Sequence, residues 1–386
     1  MMRDLDHGPF FIRVGRSSAP ESKAAIREAC VDLEPDAACF VLAFIPHTLD
    51  LSDVMQELGD TLAGVPVFGC TTAGQITANG YEADALLLMG FPKANFRCAS
   101  ILFEQLNPLD PTEIATQAQR QTEKFRHTAG WNRLALMFSD GLSKQEDVLV
   151  STLETVLDDL PIFGGSAGDG LEFQETFVLH KGQAHTNAAV LLLIETNLQF
   201  QGVGFDHFLP VGSPLIITDA DPDERLVYEI NGAPAALEYA RLVGCPVDAL
   251  SPQVFAENPM LLRHNLNYYV RAIRDATEGH ALSFLAAIDD GLIMTLGRGK
   301  EILETLDTGL DVRDRIGRAP DFILGFDCVL RKLEIEQNQL SDKVSDILQA
   351  RRVLGFNTYG EQQSGVHMNQ TFVGVAFFEP ETRVLT

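Results

Sequence analysis

Apolar positions along this chain fall into short, nearly solid runs separated by stretches of helical period. Residues 37–45, 83–91, 134–138 and 188–194 are such runs, the pattern of strands buried on both faces. Between them, 21–32, 51–63 and 145–157 place apolar residues along one face, as with Val148, Leu149, Leu153 and Val156 in the last. That spacing predicts helices. Pro20 and Asp50 stand where two of them should begin, as helix starts favour. Short runs at 10–15, 65–68 and 161–163 predict further strands.

The order strand, helix, strand, turn, strand is read over about 35–100 and again over about 130–200, an internal duplication. Units of this kind build mainly parallel or mixed sheets covered by helices. The expected class is therefore α/β, with duplicated β-α-β-turn-β units, mixed sheets, covering helices and two domains. Pro210, Gly212 and Pro214 punctuate a boundary, which gives domains of 1–205 and 206–386. In the second, strands are predicted at 226–230, 268–273, 281–288, 291–295, 322–326 and 370–378, and helices at 233–242 and 300–308. A single long charged helix is predicted over 330–354, with Leu333, Ile335, Leu340, Val344, Ile347 and Leu348 as its apolar positions. Core packing is its expected role.

One stretch recurs. Val65-Pro-Val-Phe-Gly-Cys-Thr-Thr-Ala-Gly74 is closely matched by Leu160-Pro-Ile-Phe-Gly-Gly-Ser-Ala-Gly168 and loosely by Leu354-Gly-Phe-Asn-Thr-Tyr-Gly-Glu361. Phe68, Phe163 and Phe356 are read as equivalent positions. Each copy runs an apolar strand into a turn of glycine with Ser, Thr or Cys. The plain reading is a tight turn inside a core. The functional reading is a pocket lined by backbone amides and hydroxyls, from Gly69, Thr71, Thr72, Gly165, Ser166, Thr358, Tyr359 and Glu361.

At 386 residues and 46% hydrophobic, the chain can bury substantial cores. Its net charge of −25 argues against nucleic acid or an anionic membrane as partner. The six cysteines, Cys30, Cys39, Cys70, Cys98, Cys245 and Cys328, form no C-x-x-C pair. They read as free thiols in a reducing compartment. The first residues lack a signal peptide pattern, and the apolar runs are too short to span a bilayer. A cytoplasmic location is expected.

Gly69-Cys-Thr-Thr-Ala-Gly-Gln75, Gly164-Gly-Ser-Ala-Gly-Asp169 and Gly355-Phe-Asn-Thr-Tyr-Gly-Glu-Gln362, followed by Asn369-Gln-Thr-Phe-Val373, resemble the FIST sensory family. That family pairs an N-terminal with a C-terminal FIST domain. Phe326-Asp-Cys-Val-Leu-Arg-Lys-Leu-Glu-Ile-Glu-Gln337 looks like its nitric-oxide-sensing branch. The resemblance implies a bacterial cytoplasmic sensor that binds haem b, reads nitric oxide or another diatomic gas, and regulates a partner histidine kinase or cyclic-di-GMP enzyme. Other members of the family imply a small ligand such as an amino acid. A homodimer is compatible with either.

Haem iron needs one strong protein ligand. His207, between Phe205 and Phe208 in Gly204-Phe-Asp-His-Phe-Leu-Pro210, is the first choice because aromatic walls suit a flat cofactor. His185 and His180 flank a turn as a pair of metal ligands would, and His367 lies beside Met368, another residue that can bind iron. Cys328 is the thiolate alternative, and Cys70 a weaker one. In the haem-free reading, Thr71, Thr72, Ser166 and Thr358 would donate to a carboxylate with Arg271 as counter-charge. Gly164-Gly-Ser-Ala-Gly168 also matches a nucleophile-elbow pattern, with Asp169, Glu361 and His367 as acid/base groups. The elbow needs a helix straight after the serine, whereas Gly168-Asp-Gly170 follows. The chain is therefore expected not to be an enzyme and to signal through another protein.

Overall fold

The computed structural model describes residues 10–379 except 159, 265 and 266. The repeated unit occurs three times. The first is β1 (Arg13–Ser17), α1 (Ser22–Cys30), β2 (Ala38–Pro46), α2 (Leu51–Thr61), β3 (Val67–Thr72), β4 (Gln75–Thr77), β5 (Gly80–Glu82) and β6 (Leu86–Pro92). The second is β7 (Phe96–Glu104), α3 (Pro111–Lys124), β8 (Asn132–Ser139), α4 (Glu146–Leu157), β9 (Ile162–Ser166), β10 (Val178–His180), β11 (Gln183–His185) and β12 (Ala188–Thr196).

The third unit opens with β13 (Gln199–Phe205) and is then interrupted. The insertion holds β14 (Phe208–Asp221), β15 (Leu226–Ile230), β16 (Ala233–Pro234), α5 (Ala235–Val243), α6 (Pro252–Glu257), β17 (Met260–His264), β18 (Asn267–Arg271), β19 (Ile273–Ala276), β20 (Leu282–Phe284) and β21 (Ile293–Gly299). The unit resumes with α7 (Ile302–Gly309), β22 (Phe322–Cys328), α8 (Val329–Gln337), α9 (Ser341–Ala350), β23 (Val353–Thr358), β24 (Glu361–Gln363), β25 (Val366–Met368) and β26 (Phe372–Phe378).

Each unit builds four strands of its own sheet and gives its hairpin to another. The sheet orders are β1-β6-β2-β3-β10-β11, β7-β12-β8-β9-β24-β25 and β13-β26-β22-β23-β4-β5. Unit 1 thus lends β4–β5 to unit 3, unit 2 lends β10–β11 to unit 1, and unit 3 lends β24–β25 to unit 2. The loan closes in a ring. Residues on both sides of position 205 therefore share sheets, and the third unit spans β13 and the C-terminal strands. The insertion forms a separate sheet, β18-β17-β21-β14-β15-β20-β19, with β16 beside β15.

The three sheets turn one face onto a common core rich in phenylalanine, including Phe40, Phe68, Phe138, Phe326 and Phe356. Helices cover the outer faces through Ile26 and Val54, Ile114 and Leu153, and Leu306 and Val344. Solid apolar runs mark the central strands because both faces are buried. Helix starts follow their caps: Glu21, Asp50 and Asp110 accept backbone amides of α1, α2 and α3.

Two expectations are corrected. The helix predicted over 330–354 is two helices, broken at Gln339, whose φ of 56° a helix cannot contain. The equivalent of Phe68 and Phe163 is Leu354, not Phe356. Gly69, Gly164 and Gly355 pair in parallel register with Ala43, Met137 and Gly325. A Cβ on these glycines would lie 2.0, 1.9 and 1.8 Å from the carbonyl oxygens of those partners.

Candidate functional site

The glycine turns lock the units together. The amides of Gly168, Tyr359 and Ala73 donate to the carbonyls of Thr71, Ser166 and Asn357 at 3.0, 3.3 and 3.0 Å. A second ring runs from the amides of Thr71, Ser166 and Asn357 to the carbonyls of Phe177, Gly360 and Gly74 at 2.9, 2.8 and 2.7 Å. Each bond crosses from one unit to another. The hydroxyls are engaged too: Thr71 accepts from the Phe177 amide, Thr72 donates to Ile45 O, and Thr358 donates to Glu361. Ser166 is fully buried and bonds Ser139 and Gln362. Gly69, Gly165, Tyr359 and Glu361 lie in the same packed region, and Tyr359 donates to Asp169. These residues hold the fold and line none of the cavities described below.

Among the described residues Glu361 accepts from Thr358 and Thr371, both neutral, and the Asp327 carboxylate lies near enough to oppose its charge. Burial pushes its carboxyl up to about 8.

His207 is fully buried in a chain of charges. Its Nδ1 faces Arg331 Nη1 at 2.9 Å and its Nε2 faces Glu334 at 2.9 Å. Arg331 donates in turn to Asp327 at 2.7 Å, and Asp327 accepts from Tyr81 of the borrowed hairpin. Burial lowers the His207 pKa, with Glu334 opposing. Both ring nitrogens are committed. Cys328 and Cys70 are buried thiols whose pKa burial raises, so neither offers a thiolate. His180 bonds Ser100 at 3.0 Å, and burial lowers its pKa to about 4. His185 sits 6.4 Å from it ring to ring, with Nε2 lacking a hydrogen-bond partner. Among the described residues no group of three His, Cys, Asp or Glu side chains could hold a metal ion.

Two cavities flank the β24–β25 hairpin where it meets the inserted sheet, and Tyr269 and Ser364 line both. One, about 460 Å³, has Phe205, Phe208, Tyr268, Met368 and Lys300 among its walls. The other, about 350 Å³, is walled by Arg271, His367, Asp147, Ser151 and Glu154. Arg271 is 7% exposed. Its Nη1 donates to the His367 carbonyl at 2.9 Å, while its Nε is buried without a hydrogen-bond partner. Asp147 accepts from the Ala287 amide at 3.1 Å. Burial raises the Glu154 pKa and lowers that of His367. A cation with a spare donor thus faces carboxylates across a small cavity.

Of the residues singled out by sequence, His367 and Arg271 come together here. His207, His185, Cys328 and the turn hydroxyls lie elsewhere. Asp147 and Glu154 were missed because they look like ordinary polar positions of α4, and only the tertiary fold sets them opposite Arg271.

A FIST N domain model matches residues 39–233, and a FIST C domain model matches residues 235–364. An uncharacterized protein of Methanocaldococcus jannaschii is 22% identical over 383 residues, covering 87% of this chain and 73% of that protein. The chain belongs to the FIST family, whose domains are sensory. No helix among the described residues is long and apolar enough to cross a membrane.

Proposed function

We propose that this chain senses a small ligand carrying a carboxylate, with an α-amino acid as the best match, in the cavity of about 350 Å³ beside Arg271. The observation that carries the reading is the buried Arg271 Nε without a hydrogen-bond partner. A buried donor left unpaired costs about 1–3 kcal/mol, which a ligand carboxylate would recover. Asp147 and Glu154 supply the opposite charge for an ammonium group. The volume is at the small end for ligand pockets. The walls come from unit 2, unit 3 and the insertion, so a ligand would favour the arrangement in which all three meet. A partner protein, such as a histidine kinase or cyclic-di-GMP enzyme, would read that arrangement. Ser166, buried and bonded to Ser139 and Gln362, supports a binding role over catalysis.

Thermal unfolding in a panel of L-amino acids tests this. The expected result is a rise of several degrees with one chemical subset, lost in Arg271→Met and retained in part by Arg271→Lys. No rise with any amino acid would overturn the reading.

The second reading is a haem b sensor of nitric oxide. The aromatic wall of the 460 Å³ cavity favours it. His207 does not fit as ligand while Arg331 and Glu334 hold its nitrogens. Met368 on that wall, or His367 next to it in the chain, would hold the iron. Haemin titration should then saturate at one per chain and fail in Met368→Ala or His367→Ala.

A further inference from the structure

A third cavity, about 650 Å³, lies where unit 2 meets unit 3. Its walls come from the start of β8 in unit 2 and, in unit 3, from β13, the end of β26 and the loop between α7 and β22. Three arginines line it, Arg133 on β8 and Arg313 and Arg315 on the loop, in a chain whose net charge is −25. The Arg133 guanidinium lies 5.7 Å from the Phe125 ring, and its Nε is 3.6 Å from the buried Glu195 carboxylate. Its Nη2 is buried without a hydrogen-bond partner. Arg313 donates to Asp311 at 2.7 Å, whereas Arg315 is exposed and has no ion pair among the described residues. Asp314, the acid on this wall, is occupied within its own loop. It accepts from Arg318 Nε at 2.7 Å and from the amides of Ile316 and Arg318 at 3.0 and 2.8 Å. Phe200 and Phe378 add apolar surface, and Gln199 and Gln201 add carboxamides.

We infer that this cavity binds a nucleotide, its phosphate held by Arg133, Arg313 and Arg315 and its base set against Phe200. Guanidinium groups match phosphate oxygens in both charge and geometry. A phosphate oxygen would also supply the acceptor that Arg133 Nη2 lacks. Every base has a face that stacks on an aromatic ring. Its polar edge needs donors and acceptors together, and the carboxamides of Gln199 and Gln201 carry both. Inorganic phosphate would engage the arginines alone and leave most of the cavity unfilled. Because Arg133 belongs to unit 2 while Arg313 and Arg315 belong to unit 3, the bound phosphate bridges two units. The site shares no residue with the cavity beside Arg271.

The test is calorimetric titration of the full chain with adenosine and guanosine monophosphates, set beside the two nucleosides and inorganic phosphate. The expected result is one nucleotide per chain, bound more weakly as salt is raised. Affinity should fall roughly 10-fold or more in Arg133→Met and in Arg315→Met. Arg315→Met removes an exposed side chain without an ion pair, so its melting temperature should match wild type and its loss of affinity would report the site alone. Nucleosides and inorganic phosphate should each bind more weakly than the nucleotides. Neither nucleotide binding, unchanged affinity in Arg315→Met, or inorganic phosphate binding as tightly as the nucleotides would overturn the inference. Arg271→Met should leave nucleotide affinity unchanged, so the outcome does not depend on what the Arg271 cavity binds.

Discussion

Glu361 is a buried carboxyl whose hydrogen-bond donors are neutral and whose charged neighbour, Asp327, is another carboxylate, so its proton is part of the fold. Its folded pKa, about 8, lies above the value of about 4.3 in an unfolded chain. The native state therefore holds a proton that the unfolded state releases across that window. The contribution is full below about pH 4.3 and is lost as pH rises through about 8, by up to about 1.4 kcal/mol per unit. Glu361→Gln should flatten the fall in stability between those limits relative to wild type, measured by urea unfolding. An identical slope in the variant would refute it. At Gly164, by contrast, a Cβ would meet Met137 O at 1.9 Å. Gly164→Ala should cost about 3 kcal/mol or more. At this scale the turns were legible in the sequence, but which hydroxyls stay free depends on neighbours from other units. His207 is the same case: its aromatic setting was legible, while Arg331 and Glu334, more than a hundred residues away, were not.

At the scale of elements, the apolar runs at 37–45, 134–138 and 188–194 became β2, β8 and β12. Of the lent hairpins only the turn between His180 and His185 was legible, because their strands are only three residues long, too short for a period. Helix α3 was missed because it buries only Ile114 and Ala118. The break between α8 and α9 leaves the apolar spacing intact on both sides, so the pattern read as one helix. The hairpin of unit 1 is tied to unit 3 by Tyr81, whose hydroxyl donates to Asp327. Tyr81→Phe should lower stability by about 1–2 kcal/mol, and hydrogen exchange should show faster opening of β4–β5. Unchanged protection there would contradict that role.

For the whole molecule, three units exchange hairpins in a ring around one core, and the insertion docks beside it. Repetition was legible, including the third turn at Leu354–Glu361, but the insertion between β13 and α7 hid where the third copy begins. The cavity at the junction was legible only through Arg271 and His367, because its walls come from three separate parts of the chain. The proposed sensing role turns on whether Arg271 receives a ligand carboxylate. The most direct measurement is calorimetric titration of wild type and Arg271→Met with the L-amino acid that most raises thermal stability. One site per chain, weakened roughly 30-fold or more in the variant, is the predicted result. Equal affinity in both proteins would contradict it.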